Sequence, residues 1–491
     1  MAPETKVFDA IVIGSGQSGT PLATALVKSG RKTALVEKSH IGGCCINEGC
    51  TPTKTLIASG RAAYMARRGP GYGIPSHVDG AADMIKVRQR KRDIVSNWRE
   101  GGEKRLKNAG VTVFMGDAKF VGEKEITVES DVGQEEVLKA NLIFINVGER
   151  PAAPPLDGLE GVIATLPEKV LDSTSIQELG EVPESLIVLG GGYVGLEFAQ
   201  LFQRLGSKVH VIQRAKQLLP REDPDLAESM KDILMEDGLK VHCSTEAKHI
   251  TVDPLAQQPI TLTTHSKLDD STSTVTGTHI LLATGRRPNT DTLNLAASGV
   301  QTDSTGYIPT NEYLETSVPG IYALGDCKGP PAFTHVSYDD FRVIRDNLDL
   351  LPYPSASSFG KPIKPHSINT RKSAIPYVCY TDPQLGHVGL HLHDIPTSER
   401  KNIQVAKMPM SYVARALETD ESRGMMKAVV NGETGDILGF SCIGIEGGEI
   451  MAVVQTAMMG GLKWWDLREA IWAHPSLAES LNNIWGYLED A

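Results

Sequence analysis

The sequence predicts an α/β protein made of two open parallel-sheet units, followed by a segment of mixed α+β character. Three observations carry this. A short apolar strand runs into a glycine-rich turn and then a helix at residues 7–27, and the same succession returns at 185–204. Apolar strands at 142–148 and 280–283 also end in glycine-bearing turns, as parallel strands do where a sheet gathers its loops. Beyond the Pro- and Ser-rich stretch at 350–373, which reads as a linker, strands at 378–380, 404–408, 425–430 and 437–443 and helices at 449–459 and 477–488 follow without another such turn.

Composition bounds the function. A chain of 491 residues is long enough for roughly three or four domains. With 41% hydrophobic and 22% charged residues it is an ordinary globular protein. A formal net charge of −11 argues against a nucleic-acid surface or a polybasic membrane contact. The longest apolar stretches, such as 450–462, are too short to span a bilayer. Residues 1–9 are polar and lead straight into a strand, so no targeting segment is expected and the cytoplasm is the expected location. Seven cysteines, an odd number at low density, suit a redox enzyme better than a disulfide-stapled scaffold.

The elements then follow in order. The strand at 7–13 precedes Gly14-Ser15-Gly16-Gln17-Ser18-Gly19 and a helix running to Val27. This is G-x-G-x-x-G with a strand before and a helix after, the context that makes it a dinucleotide site. Gly14 permits the turn, Gly16 lets a pyrophosphate approach the backbone, and Gly19 lets helix and strand pack closely. The next strand, 33–36, ends in Glu37, an acid placed to hydrogen-bond a ribose.

Next comes Gly42-Gly43-Cys44-Cys45-Ile46-Asn47-Glu48-Gly49-Cys50, running into a helical pattern over 56–68. Close cysteines in a reducing compartment are more often catalytic or metal-binding than structural, and no further Cys or His pair follows at ligand spacing. A thiolate near a helix start is stabilised by unpaired N–H groups and the helix dipole. The basic helical stretch at 85–106 reads as a solvated face. Strands are expected at 111–120, 125–129 and 142–148, with a crossing between domains at Pro151 to Pro155.

The second repeat places a strand at 185–189, the turn Gly190-Gly191-Gly192-Tyr193-Val194-Gly195, and a helix at 196–204. Its following strand, 208–212, ends in Gln213-Arg214 instead of an acid. An arginine there can pair a 2′-phosphate, which favours NADPH over NADH, although a surface arginine is the plainer alternative. In the stretch 316–326 an apolar strand delivers Asp326 to its C-terminal end, where ligands gather. Near the end, His474 is followed five residues later by Glu479. A carboxylate on one ring nitrogen fixes a histidine's tautomer and raises its basicity, but alone such a pair is more often structural.

Two dinucleotide repeats, a cysteine pair and a late His/Glu pair, in this order, resemble the class I pyridine nucleotide–disulfide oxidoreductases. That is the family of glutathione reductase, dihydrolipoamide dehydrogenase and mercuric reductase. The resemblance spans residues 8–482 and is strongest to mercuric-reductase-like members, judged on residues 49–55 and 329–340. It implies two Rossmann-like domains: 1–150 and 286–355 holding FAD, and 151–285 holding NAD(P). Residues 356–491 would form the C-terminal dimerisation domain of a homodimer. It implies further that Cys50 is the flavin-proximal sulfur and Cys45 the thiol that attacks substrate. Lys54 and Glu197 would pair beside the flavin. Asp326 would bind FAD, with Ala118 and Gly148 along it. Gly190, Gly192, Gly195, Glu197, Arg214 and Gly285 would fall on the NADPH and flavin side. His474, oriented by Glu479, would be the acid/base contributed by the second copy.

The family's mercuric reductases carry a C-terminal cysteine pair and lack this histidine, whereas this chain ends Trp485-Gly486-Tyr487-Leu488-Glu489-Asp490-Ala491 and has His474. The expectation is therefore a disulfide reductase without a bound metal, passing hydride from NADPH through FAD to Cys45–Cys50 and on to a small-molecule disulfide, or the reverse. The alternatives are a quinone or metal-ion oxidoreductase and a non-catalytic flavin-binding protein. Cys44 stands where the family usually has a small hydroxyl residue. A disulfide between adjacent residues is strained, so Cys44 is expected to stay a thiol.

Overall fold

Nine residues at the amino end, Thr5–Ile13 (β1), lie at the centre of the first sheet because the later ones are apolar on both faces. Leu22 and Leu26 of the following helix, Gly19–Lys28 (α1), are fully buried, each worth about 1.5–3 kcal/mol. The second strand, Thr33–Glu37 (β2), is buried throughout and pairs β1 in parallel, with Ala10 opposite Thr33. Next come two helices, Gly43–Asn47 (α2) and Cys50–Arg68 (α3), and the long helix Met84–Ala109 (α4). Four strands follow: Thr112–Met115 (β3), Asp117–Gly122 (β4), Glu125–Glu129 (β5) and Glu135–Ile145 (β6). The sheet order is β3-β2-β1-β6-β5-β4, with Ile321–Ala323 also pairing β6 in parallel. The C-terminal ends of β1, β2, β6 and Ile321–Ala323 therefore share one edge, the usual ligand edge of such a sheet.

This computed structural model describes residues 4–76, 81–348, 366–371 and 375–491. The chain divides into two units, the first made of Met1–Thr55, Gln89–Ala152 and Gly285–Lys372, the second of Leu56–Arg88, Ala153–Thr284 and Ser373–Ala491. No helix among the described residues is long and apolar enough to cross a membrane.

In the second unit, Ser185–Leu189 lies between Lys208–Ile212 and His279–Leu282 in a five-stranded parallel sheet. The helix Tyr193–Leu205 buries Leu196, Phe198, Leu201 and Phe202. A three-stranded antiparallel sheet, Thr245–Val252, Ile260–Ser266 and Thr272–Gly277, was not foreseen. The C-terminal segment is a six-stranded antiparallel sheet, including an unforeseen strand at Gln384–Gly389 and the terminal strand Leu488–Asp490. Arg204, almost fully buried, ties this segment to the parallel sheet by pairing with Asp237 at 3.2 Å and with Asp382.

Several expectations need correction. The strand at 111–120 is two strands, broken at Gly116, where a Cβ would lie 2.4 Å from the Glu129 carbonyl oxygen. The cysteine-bearing helix starts at Cys50 instead of residue 56. The basic helix α4 is not merely a solvated face, since Lys91 is 3% exposed. Arg99 donates to Asn47 Oδ1 at 3.0 Å and Arg90 to the Thr55 carbonyl at 2.9 Å, so its arginines hold the cysteine-bearing helices. The helix at 477–488 is a short helix, Ser480–Asn483, then a 3-10 turn, Ile484–Tyr487, after which Leu488 pairs Ala406 at the sheet edge. The linker expected at 350–373 lies outside the described residues except for the turn Ile368–Arg371 and the residues before it.

Candidate active site

The first glycine loop is shaped by contacts that leave no room for a side chain. Gly14 donates its N–H to the Val36 carbonyl at 2.8 Å, and a Cβ there would lie 2.2 Å from the Asn146 carbonyl oxygen. A Cβ on Gly19 would lie 2.0 Å from the Gly14 carbonyl oxygen, and its N–H donates to Asn146 Oδ1 at 2.9 Å. Asn146, which the motif does not include, thus fixes the loop from the end of β6. Glu37 accepts from the Ser15 N–H (3.0 Å), the Ser15 hydroxyl (2.6 Å) and the Ser39 N–H (2.9 Å). Ser15 Oγ in turn accepts the Gly42 N–H at 2.9 Å, joining the loop to the cysteine segment.

That segment packs directly on the loop. A Cβ on Gly43 would fall 2.6 Å from Gly16 Cα, so only glycine lets α2 start here. The N–H groups of Glu48 and Gly49 both donate to the Cys44 carbonyl, at 2.8 and 2.6 Å, and turn the chain so that Cys50 opens α3. The Cys45 thiol hydrogen-bonds Cys50, and that bond, together with burial, pushes Cys45 up. Cys50 is the sulfur at the helix start, with Thr334 Oγ1 at 3.3 Å. All seven cysteines are free thiols.

Cys44 has its own surroundings. Burial pushes its thiol up, against the pull of the Arg286 guanidinium 3.7 Å away. Arg286 is held by Glu149 at 3.2 Å, and Tyr307 donates to the same carboxylate at 2.8 Å. Burial and the Glu149 charge hold Asp326 up at about 6, with Arg286 and Lys328 pulling the other way. Asn146, Glu149, Arg286 and Thr334 were missed by sequence reasoning. Only Thr334, inside the family-like stretch 329–340, carried a local signal.

The second loop repeats the first at atomic detail. Gly190 donates to the Ile212 carbonyl at 3.0 Å, and its Cβ would meet the Ala283 carbonyl oxygen at 2.3 Å. A Cβ on Gly195 would lie 2.2 Å from the Gly190 carbonyl oxygen, whereas one on Gly192 would meet open space. Gln213 occupies the position of the missing acid and accepts the Gly191 N–H at 3.2 Å. Arg214 is exposed just beyond the strand end. Glu197 is buried and accepts the Tyr380 N–H at 2.8 Å in the second unit, while Lys54 lies on α3 in the first. Ala118 packs in the core of the first unit beside Val128. Gly148 (φ +65°) and Gly285 both have open space where a Cβ would stand. In the C-terminal segment, His474 Nδ1 lies 2.9 Å from both Glu479 oxygens, and the ring is largely exposed.

These residues fit a flavin dinucleotide in the first unit. The Ser18 hydroxyl donates to the Ser337 carbonyl instead of capping α1, and the Gly19 N–H goes to Asn146 Oδ1. A glycine-rich loop that opens a helix is where a dinucleotide's phosphates are held, and Gly148 has open space where a Cβ would stand.

Fold and site together define a two-nucleotide redox protein with a dithiol against its first nucleotide loop. Residues 8–340 match the pyridine nucleotide-disulphide oxidoreductase family, and 375–484 match that family's dimerisation domain. The chain belongs to this family, and is an FAD-dependent NAD(P)H:disulfide oxidoreductase and a homodimer. It is 32% identical over 485 residues to the probable pyridine nucleotide-disulfide oxidoreductase RclA of Escherichia coli, covering 98% of this chain and 99% of that one. It is 31% identical to the mercuric reductase of Staphylococcus aureus, covering 96% and 81%. A solved Cu(II) complex of the HOCl-induced flavoprotein disulfide reductase RclA has a TM-score of 0.84 at 31% identity, covering 98% and 99%.

Proposed function

We propose that the enzyme reduces a small-molecule disulfide with electrons from NADPH, with Cys45 as the attacking thiol and Cys50 as the resolving one. The observation that carries this reading is the Cys45 thiol hydrogen-bonded to Cys50 at the start of α3, in a segment packed on the first nucleotide loop. On this reading residues 1–150 and 286–355 hold FAD, 151–285 holds the nicotinamide nucleotide, and 356–491 forms the dimer interface. Gly14, Gly16, Gly19, Glu37, Lys54, Ala118, Gly148 and Asp326 line the flavin side. Gly190, Gly192, Gly195, Glu197, Arg214 and Gly285 fall on the NADPH and flavin side, with Arg214 on the 2′-phosphate. Exposed Tyr412, Leu417, Met459, Leu462 and Ile471 in the C-terminal segment support an interface there.

FAD, when bound, relays the electron pair of the nicotinamide nucleotide to the Cys45–Cys50 disulfide. The chain's own residues do the rest. Cys45 thiolate attacks one sulfur of the substrate, forming a mixed disulfide and expelling a thiolate. His474 of the second copy, its Nδ1–H given to Glu479, carries on Nε2 the proton that neutralises the leaving thiolate. Cys50 then attacks Cys45 Sγ, releasing the second thiol and closing the protein disulfide. The test is a steady-state screen of disulfides with NADPH and NADH, against Cys45→Ser. Turnover of quinones but of no disulfide, or full disulfide turnover by Cys45→Ser, would sink the reading.

A second reading, reduction of a thiophilic metal ion, is favoured by one observation: Cys44 adds a third thiol beside Cys45 and Cys50. Metal-dependent NADPH oxidation that falls in Cys44→Ser, with disulfide turnover intact, would support it.

A further inference from the structure

Far from the thiols in sequence, the second unit gathers two carboxylates and three histidines. Glu222 and Asp223 precede the helix Pro224–Glu236, and His387, His391 and His393 lie on and just after the strand Gln384–Gly389. The three imidazoles stack, His391 lying 3.8 Å from His387 and 5.1 Å from His393 between ring centres. His391 belongs to two sets of potential ligands, one with Glu222 and His387 and one with Asp223 and His393. In each set the ligand atoms all lie within 4.8 Å of one another.

Two buried atoms in this cluster take no hydrogen bond: Glu222 Oε2 and His391 Nδ1. Their side chains are 0% and 8% exposed. A buried polar atom without a partner is costly, and a cluster that keeps two of them calls for a ligand. The other oxygen of Glu222 is already satisfied, by the hydroxyls of Tyr193 (2.8 Å) and Tyr377 (2.7 Å). Oε2 lies 3.8 Å from His391 Nε2, which faces the Tyr377 hydroxyl at 2.9 Å, so Nδ1 is the ring nitrogen left for a ligand.

We propose that Asp223, His391 and His393 form a binding site for a divalent transition-metal ion of the zinc type, separate from the redox thiols. Two imidazoles and a carboxylate are hard-to-borderline donors, which suit Zn(II) and its first-row neighbours. His387 is not a ligand, because its nitrogens are committed to Ser441 Oγ at 2.8 Å and the Gly389 carbonyl at 3.1 Å. It acts as the flat support on which His391 stacks. Asp223 is oriented by Lys427, which holds Oδ2 at 2.8 Å, while Oδ1 faces His393 Nδ1 at 2.7 Å. The ion replaces the proton in that contact, and the half-exposed His393 ring gives it a way in. Glu222, beside His391, receives the hydroxyl of Tyr193, the first residue after Gly192, and so links the site to the second nucleotide loop.

The experiment is equilibrium dialysis of the FAD-loaded dimer against Zn(II), with metal and protein counted per chain. It compares wild type, His393→Ala, His391→Ala and a Cys44→Ser/Cys45→Ser/Cys50→Ser triple variant. Flavin content and melting curves report folding, and the surface position of His393 makes its variant the safer one. The expectation is one zinc per chain in wild type and in the thiol variant. Affinity should fall by at least roughly tenfold in His393→Ala, the lower end of what even an outer-shell loss costs. Zinc should also raise the melting temperature of wild type and leave that of His393→Ala unmoved. No stoichiometric zinc in wild type, unchanged affinity in a folded His393→Ala, or zinc lost only from the thiol variant would each overturn the proposal.

Discussion

At the scale of single residues, Arg214, the thiol pair and Asp326 make separable predictions. Gln213 fills the position where an acid would bind a ribose and repel a 2′-phosphate, and Arg214 follows it just beyond the strand end. Arg214→Ala should raise the NADPH KM by roughly 10- to 150-fold, the worth of a charged hydrogen bond of about 1.5–3 kcal/mol, and leave NADH nearly alone. Equal losses for both nucleotides would reject the assignment. For the thiols, Cys45→Ser should carry long-wavelength flavin absorbance without reduction, because Cys50 stays available at the start of α3. Finding that band in Cys50→Ser would reverse the two roles. Asp326 predicts a pH effect in FAD-depleted protein. Its carboxyl is held at about 6 in the fold and returns to the usual aspartate range when unfolded. The folded state thus holds the proton more tightly, a contribution present in full at low pH and lost as pH rises through 6. Between pH 5 and 8 that amounts to about 1.4 kcal/mol. Urea unfolding of Asp326→Asn should show a smaller fall over this interval than wild type, by about that amount. Identical pH dependence in the two proteins would contradict it.

At the scale of elements, the two glycine loops separate packing from ligand binding. Gly19→Ala drives a Cβ into the Gly14 carbonyl, so α1 must lift from β1. That variant should melt earlier and purify with substoichiometric flavin. Gly192 has φ −87° and open space at its Cβ. Gly192→Ala should therefore keep wild-type stability and flavin content to within about 0.5 kcal/mol, yet raise the nicotinamide nucleotide KM because a methyl now meets the incoming pyrophosphate. A Gly192→Ala enzyme with unchanged KM would mean the phosphate does not approach there. The element that sequence reasoning misread most, residues 477–488, shows why period alone is insufficient. Leu477, Leu481, Ile484, Trp485 and Leu488 repeat as in a helix. Leu488 instead closes the edge of a sheet by pairing with Ala406, and edge pairing is a long-range choice that local spacing does not encode.

At the scale of the whole molecule, the dimer is the functional unit on the proposed mechanism. His474 and Glu479 form an exposed pair in the C-terminal segment, and the chemistry assigned to them belongs beside Cys45 of a second copy. Inactive Cys45→Ser and inactive His474→Ala chains, mixed under conditions that exchange subunits, should regain activity. Each heterodimer has one site with both lesions and one with neither. If verified heterodimers stay inactive while wild-type chains handled identically remain active, the shared site is wrong.

The sequence by itself determined what is local. Both glycine loops, the acid ending β2, the Cys45/Cys50 spacing and the His474/Glu479 spacing are short-range patterns, because turns, helix starts and neighbouring ligands are built from residues close in the chain. The family followed from the order of those patterns. Tertiary structure decided what depends on residues far apart. It brought Arg286 to Cys44, Asn146 to both ends of the first loop, the arginines of α4 to the cysteine helices, and His391 to Glu222. None of these pairs has a fixed spacing to read. Each exists because strands adjacent in a sheet come from distant parts of the chain, and a buried polar atom takes whichever partner the packing delivers.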